Sequence, residues 1–430
     1  MKGHRERFIM KAHLLPSKST GSIHIPPSKS MSHRAIICAA LAHGESIIQN
    51  VAYSKDILAT IEGMKQLGAS IRKDGSTLYI RGVQSFQQLA AKEIFCNESG
   101  STLRFFIPIF SLCNQDITFT GQGRLLDRPQ KVYADIFHKQ GLDFTHTPSG
   151  IHIHQSLQAG GYTLKGDVSS QFISGLLFAL PLLTEDSTIH IEPPFESRSY
   201  IDLTLEMMER FGVKAYYRDE YTLYIPGNQQ YQACDYTIEG DYSQLAFFAV
   251  LGAISNGITL HGVTPSSKQG DKQIIDILKQ FGALIDTLKD GYRIHPAKLI
   301  GQAINLENCP DLGPIVCVLG MYGEGTTHIY NASRLRIKES DRIAAMEEEL
   351  RKFGTNITST PDTITIQHNP NPICQTSLYG HNDHRIVMAL SVAAMASRQE
   401  AIIEDAQAIE KSYPTFFEDF KKVGGKVDLL

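Results

Sequence analysis

None of the seven cysteines stands in a C-x-x-C pair, and their spacings form no even framework. That fits a reducing compartment better than a disulfide scaffold or a zinc site. Nowhere does an uninterrupted apolar run reach the ~18 residues of a membrane span. Low-complexity tracts and long charge runs are missing too. The stretch Met1–Lys11 is basic but lacks the apolar core of a secretory signal, so a cytoplasmic protein is expected. A net charge of -4 argues against a nucleic-acid partner. With 42% hydrophobic and 20% charged residues over 430 positions, the chain has core enough for two or three packed domains.

What is present is a rhythm. A helix-like run closes on a glycine at Gly68, Gly141, Gly212, Gly282, Gly354 and Gly424, at spacings of 73, 71, 70, 72 and 70 residues. One supersecondary unit is therefore used six times. Before each glycine, apolar residues recur three or four apart, as in Ile57, Ile61, Met64 and Leu67, the mark of an amphipathic helix. Short alternating strands follow, such as Thr77–Arg81, 151–154, 221–225 and 363–367. A second helix in each unit is too continuously apolar for a surface: 35–41, 103–112, 173–183, 245–254, 315–321 and 386–395. The sixth unit has room for one strand only after Gly424, so the spare strand in Lys11–Ile25 is expected to complete it. This gives an α/β protein with a discontinuous domain, 1–27 plus 240–430, and an inserted domain, 28–239, of three units each. Function is expected in the cleft between them.

Polar residues that a buried helix does not need gather where the helices begin. Such starts offer unpaired N–H groups and the positive end of the helix dipole, a natural anion site when several converge. Before the apolar helices stand Lys29, Ser30 and Arg34; Ser99, Gly100, Ser101 and Arg104; Ser169, Ser170 and Gln171; Asp241 and Ser243; Asp311; and Asp383, His384 and Arg385. Before the others stand Arg128, Ser197 with Tyr200, Lys338 to Arg342, and Lys411. Each cluster has a bland alternative: serine N-caps with solvated charges around Lys29 and Gly100, a salt-bridged cap at 335–342, an N-cap at Asp311. The shared phase favours the anion-site reading, in which Asp311 and Glu339 supply two acid/base groups. His381, Asp383 and His384 invite a metal, but no further ligand set is evident and Arg385 would repel a divalent cation. Cys38, Cys113 and Cys317 fall inside apolar helices and read as packed thiols.

In chain order the residues spell Pro-Ser-Lys-Ser-x-Ser-x-Arg, Ser-Gly-Ser-Thr-x-Arg, Asp-Arg-Pro, Ser-Ser-Gln-Phe, Ser-x-x-Tyr-Ile-Asp, Lys-Glu-Ser-Asp-Arg, Asp-His-Arg and Glu-Lys-Ser-Tyr-Pro. This set, spread over nearly the whole chain, closely resembles the 5-enolpyruvylshikimate-3-phosphate synthase family. The resemblance implies the two-domain enolpyruvyl transferase fold, six βαβαββ units with three per domain. It implies transfer of the enolpyruvyl group of phosphoenolpyruvate to the 5-hydroxyl of shikimate 3-phosphate, with release of phosphate, in the shikimate pathway. Carried over by motif, Lys29, Ser30, Arg34, Ser169, Ser170, Gln171, Ser197, Tyr200, Asp311 and Lys338 hold shikimate 3-phosphate. Lys29, Gly100, Arg128, Gln171, Arg342, Arg385 and Lys411 border phosphoenolpyruvate. Asp311, Glu339 and Lys29 are the implied catalytic residues: Asp311 accepts the hydroxyl proton, Glu339 serves the methylene carbon and the elimination, and Lys29 assists departure of phosphate. The resemblance also implies small-molecule partners alone, no metal or cofactor, a monomer, and inhibition by glyphosate.

Two positions depart from the family pattern. Arg334 stands four residues before Lys338, where Asn is frequent, and the glycine loop reads Asn97-Glu98-Ser99-Gly100 where Asn-Ala-Gly or Asn-Ser-Gly is common. A cell-wall enolpyruvyl transferase acting on UDP-N-acetylglucosamine is the nearest rival, but it needs a nucleotide pocket and typically has Lys-Asn at Lys29-Ser30. A six-fold DNA clamp would instead line exposed helices with cations.

Overall fold

The computed structural model describes residues 10–87 and 89–430; the basic stretch before Met10 lies outside the described residues. Twelve α-helices are present among these: α1 Lys29–Leu41, α2 Lys55–Gln66, α3 Gly100–Ser111, α4 Lys131–Lys139, α5 Ser170–Ala179, α6 Arg198–Arg210, α7 Tyr242–Ile254, α8 Gln273–Gln280, α9 Gly313–Tyr322, α10 Arg342–Arg351, α11 His384–Ala396 and α12 Phe416–Lys422. None is long and apolar enough to cross a membrane.

The repeating glycine has a structural cause. All six sit at φ between 72° and 114°, the left-handed region. Behind α2, the Gly68 N–H returns to the Lys65 carbonyl and the Ala69 N–H to that of Met64, at 2.9 and 3.0 Å. The same pair of bonds closes α4, α6, α8, α10 and α12 around Gly141, Gly212, Gly282, Gly354 and Gly424. This is the Schellman stop, and a side chain at that φ would collide with the following carbonyl, so only glycine serves it cheaply. The ruler legible in the sequence is a series of helix C-caps.

Odd-numbered helices α1, α3, α7, α9 and α11 are buried along nearly their full length. The run 173–183 behaves differently from expectation: α5 ends at Ala179, and a 3-10 turn, Leu180–Leu182, follows around Pro181. Proline has no N–H for the ladder and clashes with the preceding turn. Helix α3 tolerates Pro108 because the carbonyl it orphans, that of Arg104, receives the buried Tyr133 hydroxyl at 2.6 Å.

Among the described residues the strands form six four-stranded sheets of one order. In one, Glu93–Phe95 runs parallel to Ile117–Thr120, which pairs antiparallel with Gly150–Ile153, itself antiparallel to Phe144–Thr147. The chain start is used twice, which corrects the expectation of a single spare strand. Ala12–Leu15 pairs antiparallel with Ala401–Glu404 and Lys426–Leu429, completing the last sheet, whereas Ser22–His24 runs parallel to Ile258–His261 in another. Pro16 and the left-handed Gly21 break the segment between them.

By contacts the chain divides into two units. The discontinuous unit takes the chain up to Pro26 with Gly240–Ser267 and Asp271–Leu430; the inserted unit takes Pro27–Glu239 with Lys268–Gly270. Each has its own apolar core, formed in the inserted unit by α1, α3 and α5 and in the discontinuous unit by α7, α9 and α11, with strand residues around them. Cys38, Cys113 and Cys317 are packed there, and burial pushes all three thiols upward, the last two to about 12.

Candidate active site

In the inserted unit three helix starts carry the expected groups. Ser28, Ser99 and Ser169 are the N-caps of α1, α3 and α5, their side chains accepting from Met31, Thr102 and Gln171 N–H groups. The bland reading of the serines around Lys29 and Gly100 is thus also true: Ser28 and Ser99 cap. The cations beside them do more than cap. Arg34 is 3% exposed, and its guanidinium donates to Thr204 Oγ1 at 2.8 Å, the Ser30 carbonyl at 2.8 Å and the Tyr200 carbonyl at 3.0 Å. Burial brings its pKa down to about 10. Arg34 thereby ties Ser30 to the first turn of α6, where Ser197 is the fully buried, left-handed N-cap.

A second group forms around Gly100. Arg104 donates to Gln171 Oε1 at 2.7 Å and to the Pro129 carbonyl at 3.3 Å, and the Gln171 amide donates to Ser101 Oγ at 2.9 Å. Arg128 Nη1 would be 2.7 Å from a Cβ on Gly100, so any side chain there would evict the guanidinium. Gly100, Arg128 and Gln171 are therefore brought together. Lys29 Nζ meets Asp56 Oδ2, in the first turn of α2, at 2.9 Å.

The discontinuous unit concentrates charge of both signs. Asp311 lies in a 3-10 turn before α9. Its Oδ1 receives Arg342 Nη1 at 3.0 Å and Lys338 Nζ at 3.2 Å, and its Oδ2 receives Arg385 Nη2 at 3.0 Å. Burial alone would raise this carboxyl, but Arg385, Lys338 and Arg342 hold it well below the carboxylate range. Lys338 moves the other way: burial, aided by Arg334 and Arg342 and opposed by Asp311, brings it to about 8. Arg334, the departure from the family pattern, is 6% exposed in the 3-10 turn Ser333–Ile337.

Glu339 Oε2 lies 2.8 Å from His384 Nδ1 and 4.0 Å from Arg342. Asp383 caps α11 and also takes Arg342 at 2.8 and 3.2 Å and the Ser340 hydroxyl at 3.0 Å. Ligand atoms of Glu339, Asp383 and His384 gather within 4.8 Å of one another, the spacing of a metal cage. Arg342 already supplies the positive charge at that spot, and a divalent ion beside a guanidinium is repelled. His381 belongs elsewhere, on Glu349 at 3.0 Å. Lys411 Nζ donates to the Asn382 carbonyl.

Two groups, Asp271 and Asp56, escaped the sequence reading. Asp271 is 3% exposed, bonded to the Ser243 hydroxyl, and raised to about 6 by burial and by Asp311. Asp56 and Asp271 both stand where an outer helix begins, α2 and α8, so the glycine ruler would have found them had it been applied to every helix start. Arg104 was noted, but its role as the link from Gln171 to the 128–129 turn needs three dimensions.

A family model described as EPSP synthase (3-phosphoshikimate 1-carboxyvinyltransferase) matches residues 15–420. The 3-phosphoshikimate 1-carboxyvinyltransferase of Clostridium perfringens is 45% identical, covering 97% of this chain and 99% of its own. That of Clostridium kluyveri is 44% identical over 96% and 97%. Among solved structures, an EPSP synthase from Acinetobacter baumannii superposes with a TM-score of 0.79 at 25% identity, covering 98% of this chain and all of that one. The enolpyruvyl transferase NikO from Streptomyces tendae also reaches 0.79, over 98% and 99%, and at 16% identity is a likeness of fold alone.

Proposed function

The chain belongs to the EPSP synthase family, and from that premise we propose that its two clusters of helix starts act together on one pair of substrates. The reaction is transfer of the enolpyruvyl group of phosphoenolpyruvate to shikimate 3-phosphate, a step of the shikimate pathway. Each substrate carries a phosphate and a carboxylate, whose repulsion a cation-rich, water-poor site offsets.

In this reading Lys29, Ser30, Arg34, Ser169, Ser170, Gln171, Ser197, Tyr200 and Lys338 hold shikimate 3-phosphate. Lys29, Gly100, Arg128, Gln171, Arg342, Arg385 and Lys411 border phosphoenolpyruvate. The observation that carries the assignment is the grip of three cations on Asp311. Held far below the usual range, Asp311 is ionised but a weak base. When an anionic substrate takes a share of Arg342 and Arg385, the hold on Asp311 loosens and its basicity rises where the 5-hydroxyl must lose its proton. Glu339, against His384, delivers a proton to the methylene carbon in the addition and takes one back in the elimination, through a tetrahedral intermediate. Lys29 assists the leaving phosphate.

The protein acts as a cytoplasmic monomer on small molecules, without metal or cofactor, and glyphosate inhibits it. Incubation with both substrates, chelator present, should release phosphate. Release no faster than from phosphoenolpyruvate alone would refute the assignment.

A further inference from the structure

Two successive residues between the strand Leu378–Tyr379 and α11, His381 and Asn382, are left-handed, with φ of 52° and 50°. L-residues rarely adopt that conformation, and a pair persists only where the surroundings over-determine it. What does so here is a buried carboxylate on each side.

Glu349, on α10, has no exposed side-chain surface. Its carboxylate accepts Lys352 Nζ at 2.8 and 2.9 Å, the Tyr379 N–H at 2.9 Å and His381 Nε2 at 3.0 Å. Burial alone would raise this carboxyl, yet the hydrogen bonds from His381, Lys352 and Tyr379 hold it below its ordinary value. On the far side Asp405 accepts the Asn382 N–H with one oxygen and the Gln407 amide with the other. The Asn382 carbonyl in turn receives Lys411. Immediately after the turn come Asp383 and Arg385, which grip Arg342 and Asp311.

We propose that Glu349 and Asp405 are positioning residues that clamp the His381–Asn382 turn and so fix where Lys411 and Arg385 present their charges to the enolpyruvyl donor. The inference rests on the site reading above. Neither carboxylate touches a substrate; each acts through the turn. The unused His381 of the metal motif becomes the strut by which α10 reaches it, and Glu349, about two turns along the helix from Arg342, belongs to the site without facing it.

The test uses Glu349→Gln in the full chain. The phosphoenolpyruvate KM should rise about tenfold, the worth of one misplaced charge-assisted contact, with the shikimate 3-phosphate KM changed less than about twofold and kcat less than about threefold. Adding Asn382→Gly should recover part of that loss, because glycine enters the left-handed conformation without steric cost and depends less on a clamp. Hydrogen exchange at the amides of 379–385 should quicken in the Glu349→Gln variant relative to the unmodified protein. Equal loss on both substrates, an unchanged KM, or no recovery with glycine would reduce Glu349 to a stability contact and overturn the proposal. Should Glu349→Gln fail to fold, Asp405→Asn is read by the same criteria. If the unmodified protein has no turnover, the functional reading fails alone, and the exchange experiment still decides whether the clamp exists.

Discussion

The two units build cation sites from the same helix starts but partner them differently. In the inserted unit Arg34 donates to a hydroxyl and two carbonyls, and Arg104 to an amide oxygen and a carbonyl. In the discontinuous unit Lys338, Arg342 and Arg385 converge on Asp311, with Asp383 and Glu339 beside them. Neutral partners such as those of Arg34 orient a guanidinium and leave its charge for a ligand; carboxylate partners share that charge and are themselves tuned by it. The first arrangement suits binding, the second proton transfer. On the proposed reading, one fold unit is divided between the two tasks by the choice of acceptor.

The largest expected effect tests that division at its centre. Asp311→Asn and Glu339→Gln keep shape while abolishing proton transfer, so kcat should fall by about 10²- to 10⁴-fold. Substrate affinities should change far less. Near-normal turnover in a folded variant would make that residue a structural cap and erase the contrast between the units.

Next in size are the cations themselves. Arg128→Ala, in the inserted unit, removes a contact worth about 1.5–3 kcal/mol and should raise the phosphoenolpyruvate KM with kcat nearly intact. Arg385→Ala should raise KM comparably but also lower kcat, because Asp311 loses one of its three cations. The Asp311 carboxyl then rises, and the acidic limb of the pH–rate profile moves to higher pH. Matching KM and kcat changes in the two variants would show that the units do not differ.

A smaller effect follows from Lys338, whose pKa of about 8 is depressed chiefly by burial. The protonated amine is the form that binds an anion. Affinity for shikimate 3-phosphate should therefore be level below pH 8 and weaken above it, by up to about tenfold per pH unit until the pKa of the complex is reached. Lys338→Arg, always charged, should flatten the curve. Affinity level to pH 9.5 would mean that Lys338 does not meet the substrate.

How far the sequence disclosed this depends on range. Helix stops were legible because a left-handed cap demands glycine within the motif itself, and apolar helices because burial needs an unbroken run. Cation clusters were legible because N-caps and their charges lie within a few residues. Pairings across long separations were not. Nothing in 11–25 tells Ala12–Leu15 to join 401–404 while Ser22–His24 joins 258–261, since each strand satisfies the same alternation. The fate of His381 was hidden for the same reason: Glu349 lies 32 residues away, and three potential ligands in five residues resemble a metal motif until Arg342 is seen among them.

The smallest prediction concerns a place where the inserted unit admits a carboxylate at its site, Asp56 on Lys29. The pair sits at 2.9 Å with the two side chains 17% and 6% exposed, so solvent screens it little and the carboxylate takes a real share of the Lys29 charge. If this unit works by leaving its cations to the ligand, Asp56→Asn should return a share of the Lys29 charge. The phosphoenolpyruvate KM should then fall about two- to threefold, with kcat unchanged. If instead Asp56 is what aims Lys29, the asparagine variant will raise KM and slow turnover together, as Arg385→Ala is expected to do on the other side. The sign of that small change decides whether the inserted unit is a receptor throughout, or whether at Lys29, the one cation there with a proposed part in the chemistry, it borrows the carboxylate pairing of its counterpart.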